Sequence, residues 1–491
     1  MATILGANGN QGGYEIDHSY MIDSAAACGL ARFGNNSRNG DTFTISFWVK
    51  RAKIGTNQIL VCSKAEDSGS NAFVFQFTAA DKIQVIGQPQ AGTTGAGANR
   101  TVILSDSVYR DPSAWYHIVY RQDTTQGTAG NRHKLYVNGF QQELTTNDAL
   151  DQNTEFLYFY NAGSFPYAIG NDERDNLFGD YYMAEHHYTD GVSNAQTEFG
   201  EFNSNGVWVP KFYQGSHGTY GHYLRFNEVG AGSGTTAVGE HDYTTGSAST
   251  IGADSSGNGH HFHVQGYNAK NHTEDTPSNN FATWNILDTR QAATFNEGAL
   301  KVTTGASTRS YVTATQGVKS GKWYMEIKSK TAAGSSYVGF CDLSDLNTNT
   351  ANTLGDFSNE ARVNDDGSFE KNNSTTNSWA GGFDNNDILS LLIDADNNRF
   401  TIANGGQYAD SNGNYDESGP TAYISYTAGN FMTFACGDGA GAGSVVYECN
   451  FGNPMFDISS GNADANGHGN FEFAVPSGYF ALCTKNLAEY G

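Results

Sequence analysis

The chain has 491 residues, a formal net charge of −24, only 16% charged residues, 13% aromatics and 59 glycines. Such an acidic balance repels phosphate backbones and anionic membranes, so nucleic acid is excluded as a partner while cations, neutral polymers and other proteins remain open. The length suffices for two or three cores, and no segment approaches the roughly 18 consecutive apolar residues of a membrane span.

In chain order, residues 1–13 (MATILGANGNQGG) read as a Gly/Asn/Gln-rich arm with no basic n-region, so Sec-type export is not expected. Residues 14–228 read as an antiparallel β-sandwich. The run TFTISFWVKR places Phe43, Ile45, Phe47 and Val49 on one face and Thr44, Ser46, Trp48 and Lys50 on the other, the signature of a half-buried strand with Lys50 toward solvent. WYHIVYR and KLYVNG repeat the alternation, and Asn138-Gly139 marks a tight turn. Only Ala195–Glu201 reads as a short helix. Residues 229–281 are rich in glycine and polar residues and read as a connector packed on the first domain. From residue 282 to 491 the alternation restarts with KWYMEIK, DILSLLID, RFTIAN and VVYECNF, giving a second sandwich. The expected fold is therefore all-β: two jelly-roll-like antiparallel sandwiches in tandem.

The six cysteines are too sparse for a disulfide framework, and buried free thiols are expected, with Cys436 and Cys449 as the one pair whose redox state is open.

Several stretches carry a family resemblance. YEIDHSYMID, FTISFWVKR, YRDPSAWYHIVYRQDTTQ, FGDYYMAEHHYTDG and FGEFNSNGVWVPKFYQGSHGTYGHYLRF resemble the concanavalin A-like, laminin G-like sandwich of phage virion proteins. GVKSGKWYMEIKSK, LLIDADNNRFTIANGG and FAVPSGYFALCTKNL resemble a SPRY-type module. The resemblance implies a tail fibre or another virion surface appendage, assembled in the host cytoplasm, homo-oligomeric, non-enzymatic, and contacting other virion proteins and a host-surface glycan. Its rivals are a purely structural capsid or tail decoration protein and a polysaccharide depolymerase.

Individual residues sharpen this. A retaining glycanase needs two carboxyl groups about 5 Å apart, and Glu15 and Asp17 have alternate spacing but no third acid follows them. The pairs His186-His187 and His260-His261 point to opposite faces of a strand, cannot chelate one metal as pairs, and read as surface or loop histidines. Oxygen-rich NDERDN nominates Asn171, Asp172 and Asp175 for Ca²⁺, the only cofactor expected, since laminin G-like sandwiches often hold it at a sheet rim. For a glycan, exposed aromatic faces beside carboxylates are the requirement. Trp379 with Asp384 and Asp387 in SWAGGFDNND, and Trp208 in GVWVPK, are the candidates.

Overall fold

A computed structural model describes residues 13–33, 39–64, 72–88, 100–156, 166–172, 177–238, 241–289, 293–305, 310–331, 335–343, 354–356, 359–372, 374–376, 382–409, 415–416, 420–439 and 444–491. It is a nearly all-β protein with several antiparallel sheets. The chain divides into two compact units that meet in sequence between Ser278 and Asn279.

In the first unit, the Thr42–Arg51 strand lies at the middle of an eight-stranded sheet, between Trp115–Asp123 and Tyr181–Asp190. A ten-stranded sheet faces it, running from Leu144–Asn147 through Ala72–Phe77 and Gln58–Lys64 to Thr235–Val238. Phe43, Ile45, Phe47 and Val49 enter one continuous core with Phe73, Phe75, Ile118, Tyr120 and Tyr188, all fully buried, so the alternation in the sequence sets the inner face. Asn138 and Gly139 both adopt positive φ (48° and 83°) in the turn between His133–Val137 and Phe140–Gln141. Gly139 also lacks room for a side chain, because a Cβ there would lie 2.4 Å from the Trp208 ring.

Three local expectations change. The segment 229–281 contributes strands: Thr235–Val238, His241–Thr244 and His263–Gln265 extend the ten-stranded sheet, and His272–Thr273 edges the other. The expected helix at 195–201 is a 3-10 turn, Gln196–Glu198, followed by the strand Gly200–Phe202. Among the described residues the α-helix is instead Thr484–Tyr490.

The larger correction concerns Lys50. The whole outer face of its strand is buried as well: Thr44, Ser46 and Trp48 are covered, and Lys50 is 1% exposed. Its ammonium donates to Asp275 Oδ2 at 2.7 Å, and the Trp115 indole donates to Asp275 Oδ1 at 3.2 Å. Burial pulls the Lys50 pKa down, while the Asp275 carboxylate pulls it back up. The periodicity is correct but the far face is not solvent, because a second layer of chain lies on it.

In the second unit, a seven-stranded sheet and a ten-stranded sheet each contribute to the core, the latter centred on Lys322–Thr331 between Ile388–Asp394 and Val446–Asn450. Glu326 on that strand is fully buried and saturated: it accepts from Tyr324 Oη (2.9 Å), Asn450 Nδ2 (3.1 Å), Glu472 N (2.9 Å) and Phe473 N (2.8 Å). The carboxylate thereby fastens residues 472–473 to this central strand. Cys436 and Cys449 are buried free thiols.

Candidate functional site on the outer face of the first unit

The site begins with a register slip. Pairing of Tyr181–Asp190 with Thr42–Arg51 is regular through Ala184 and resumes at His187, so the strand holds a bulge between them. Glu185 occupies it at φ 51°, a left-handed conformation unfavourable for a residue with a Cβ. The bulge reverses parity. Tyr181 and Met183 point into the core, but beyond it His186 and Tyr188 do, which sends His187 outward beside Glu185.

Glu185 is 6% exposed. Its Oε2 accepts from Tyr223 Oη at 2.5 Å and lies 3.7 Å from His187 Nε2, and the Tyr14 hydroxyl is 3.0 Å from that of Tyr223. Burial pushes the Glu185 carboxyl up to about 7; Tyr223, Arg225 and Tyr14 oppose the shift, and the charge of Asp17 adds to it. His187 Nδ1 lies 3.1 Å from His217 Nε2, and the Tyr223 ring stacks on His187 with centroids 4.1 Å apart. Two strands away, on Trp115–Asp123, His117 Nδ1 accepts from the Trp208 indole at 3.0 Å, which leaves Nε2–H to donate to Ser46 Oγ at 2.9 Å. Burial holds His117 and His187 down to about 3, so both imidazoles are neutral. Together Tyr14, Trp48, His117, Glu185, His187 and Lys211 line a slot too narrow to admit a water molecule.

The sequence points elsewhere. Trp208 is buried at 9% exposure, with its ring edge against Gly139 and Gly200 and its indole N–H engaged, so it offers no face to a sugar. His186 and His187 are likewise core and interlayer groups and not surface histidines. Trp379 and Asp175 lie outside the described residues. Asp384 is exposed, whereas Asp387 Oδ2 is taken up by Asp384 N (2.9 Å) and Asn404 Nδ2 (3.0 Å) and shapes its own turn. Asn171 and Asp172 are buried, not rim-exposed; Asn171 Nδ2 donates to Tyr243 Oη, and its Oδ1 is a buried acceptor without a hydrogen-bond partner. Among the described residues no three His, Cys, Asp or Glu side chains converge as a metal site. The missed signal is the polar triplet Glu185-His186-His187 directly after the run Tyr181–Ala184 in the same strand.

Residues 28–185 match the family model Laminin_G_3, described as the Concanavalin A-like lectin/glucanases superfamily. No curated protein matches the chain. Solved structures with similar regions include the SPRY domain of human HERC1, 13% identical over 36% of this chain and 99% of that one, with a TM-score of 0.27. A heptameric SAP-like pentraxin from Limulus polyphemus is 13% identical over 38% of this chain and 81% of its own, with a TM-score of 0.27. A Bacteroides ovatus protein provisionally assigned to carbohydrate binding is 14% identical over 51% of this chain and 58% of its own, with a TM-score of 0.28. None of these three likenesses carries a functional argument.

Proposed function

We propose that the chain is a non-enzymatic surface protein of a phage virion, a tail fibre or another appendage, that binds a host-surface glycan as a homo-oligomer, with its second unit a SPRY-like module. The observation that carries the glycan reading is the concanavalin A-like match over residues 28–185. The virion assignment rests on the resemblance of the sequence stretches quoted above. In this reading Trp379 supplies a stacking face and Asp384 an acceptor for sugar hydroxyls. A Ca²⁺ ion held by Asn171, Asp172 and Asp175 is part of the same proposal, supported by the orphaned, buried Asn171 Oδ1.

A glycan array probed with the intact protein tests the reading directly, and Trp379→Ala should weaken any captured glycan by about 1 kcal/mol or more. An array with no glycan retained above background would remove it. For Ca²⁺, the melting temperature should rise on adding CaCl₂ to chelated protein and stay unmoved in Asp172→Asn.

A second reading has one observation in its favour: Glu185 is a buried, strained carboxyl group held near neutrality, the profile of a general acid. It makes the protein a polysaccharide depolymerase. Release of reducing ends by the native protein and not by Glu185→Gln would establish it in place of the first.

A further inference from the structure

Residues 194–217 run across the outer face of the eight-stranded sheet as a separate layer, carrying the Gln196–Glu198 turn and the Gly200–Phe202/Trp208–Pro210 hairpin. Phe199 and Tyr213 pack on Val119 and Tyr136 beneath them. Asn194 and Gln196 tie its start to Thr44, Thr189 and the Gly139 carbonyl. Further along, two side-chain hydrogen bonds reach the sheet, and both end on imidazole: Trp208 to His117, and His217 to His187.

The first bond exists only while His117 Nδ1 is unprotonated, and the second is lost when both His187 and His217 carry a proton at the facing nitrogens. A proton on His117 Nδ1 would face the indole N–H that now donates to it, and the His187–His217 contact needs one nitrogen without a proton. Around His117 stand Ser46, Trp48, Trp208 and, as a further charge when protonated, His187. Around His187 stand Phe199, Tyr213, Tyr223, His217 and Glu185. His217 meets Tyr213, Tyr223 and the field of Asp254, the one ionised acid that favours its protonation.

We propose that residues 194–217 form an acid-released strap: protonation of His117, His187 and His217 detaches it from the sheet and uncovers Trp48 and the Glu185 slot. The direction follows from linkage. Exposed imidazoles titrate near 6.5, whereas burial keeps these three unprotonated down to about 3. Between those limits each histidine shifts the balance toward the open strap by up to tenfold per pH unit. Glu185 works the other way, since its carboxyl is raised to about 7 when covered and a proton there favours closure as pH falls from 7 to its ordinary 4.5. Three protons against one leave acid opening as the net result, up to about a hundredfold per pH unit.

Hydrogen exchange of the full chain at pH 7.5, 6.0 and 5.0, corrected for the intrinsic rate, tests this. Amides of residues 194–217 should lose protection at least tenfold by pH 5.0 while those of Thr42–Arg51 keep theirs. His117→Gln should lower the slope by close to tenfold per unit; should that variant not fold, His217→Asn, at a partly exposed position, is expected to lower it by a similar factor. Loss of protection in the strap only together with Thr42–Arg51, or an unchanged slope in a folded variant, would overturn the proposal.

Discussion

Each unit buries a glutamate on a central strand, and burial pushes both carboxyl groups to about 7, yet the two sites differ in kind. Glu326 receives four hydrogen bonds, two of them from the backbone of a closing loop, and lies on a regular strand. Glu185 sits at positive φ in a bulge, takes hydrogen bonds from the side-chain hydroxyls of Tyr223 and Tyr14, and lines a slot. A shifted pKa alone does not separate a structural carboxylate from a functional one; the count of donors and the backbone strain do. The same contrast extends outward. The first unit places Lys50, Glu185 and neutral imidazoles between a sheet and a covering layer, and twelve of the 13 histidines precede Asn279.

The largest effects come from removing a partner in each unit. Glu326→Ala removes the shared acceptor of Tyr324, Asn450 and the Glu472 and Phe473 amides and should cost about 3–5 kcal/mol in the second unit, read from its denaturation midpoint. Lys50→Ala should cost a similar ~3–5 kcal/mol in the first, because Asp275 is left as an uncompensated buried charge. That equals the cost of Phe47→Ala on the opposite face. A cost for Lys50→Ala below about 1 kcal/mol would mean that the outer face is open after all.

The pH dependence should have opposite signs in the two units. His117, His133, His186 and His187 have folded pKa values near 3, so the stability they allow is present above about 6.5 and drains away as pH falls toward 3. In the second unit Glu326 and Asp438, raised by burial to about 7 and about 6, contribute stability that is fully present below about 4 and lost as pH rises through those values. Calorimetry from pH 7.5 to 5 should therefore show one transition moving down and the other up, each assigned by the variant that shifts it. Parallel movement would erase the distinction.

The smallest effect sharpens it. Glu185→Gly trades the hydrogen bonds from Tyr223 and Tyr14 for relief of left-handed strain and should leave stability within about 2 kcal/mol of the native protein. A loss as large as that of Glu326→Ala would make Glu185 a structural pin too.

Local chemistry in the chain determined the all-β class, the inner face of Thr42–Arg51 and the Asn138-Gly139 turn, since strand parity and φ preference act over a few residues. It could not show that the outer face is covered, because Trp208 meets His117 across 91 residues and Lys50 meets Asp275 across 225. Trp48 and Lys50 look alike in sequence whether water or another layer lies above them. Nor could alternation reveal the bulge: one inserted residue reverses which of His186 and His187 faces the core, and only pairing with Thr42–Arg51 fixes where it falls. The charge, strain and proximity that define the Glu185 site were therefore decided by tertiary packing, which alone removes water from groups far apart in the chain.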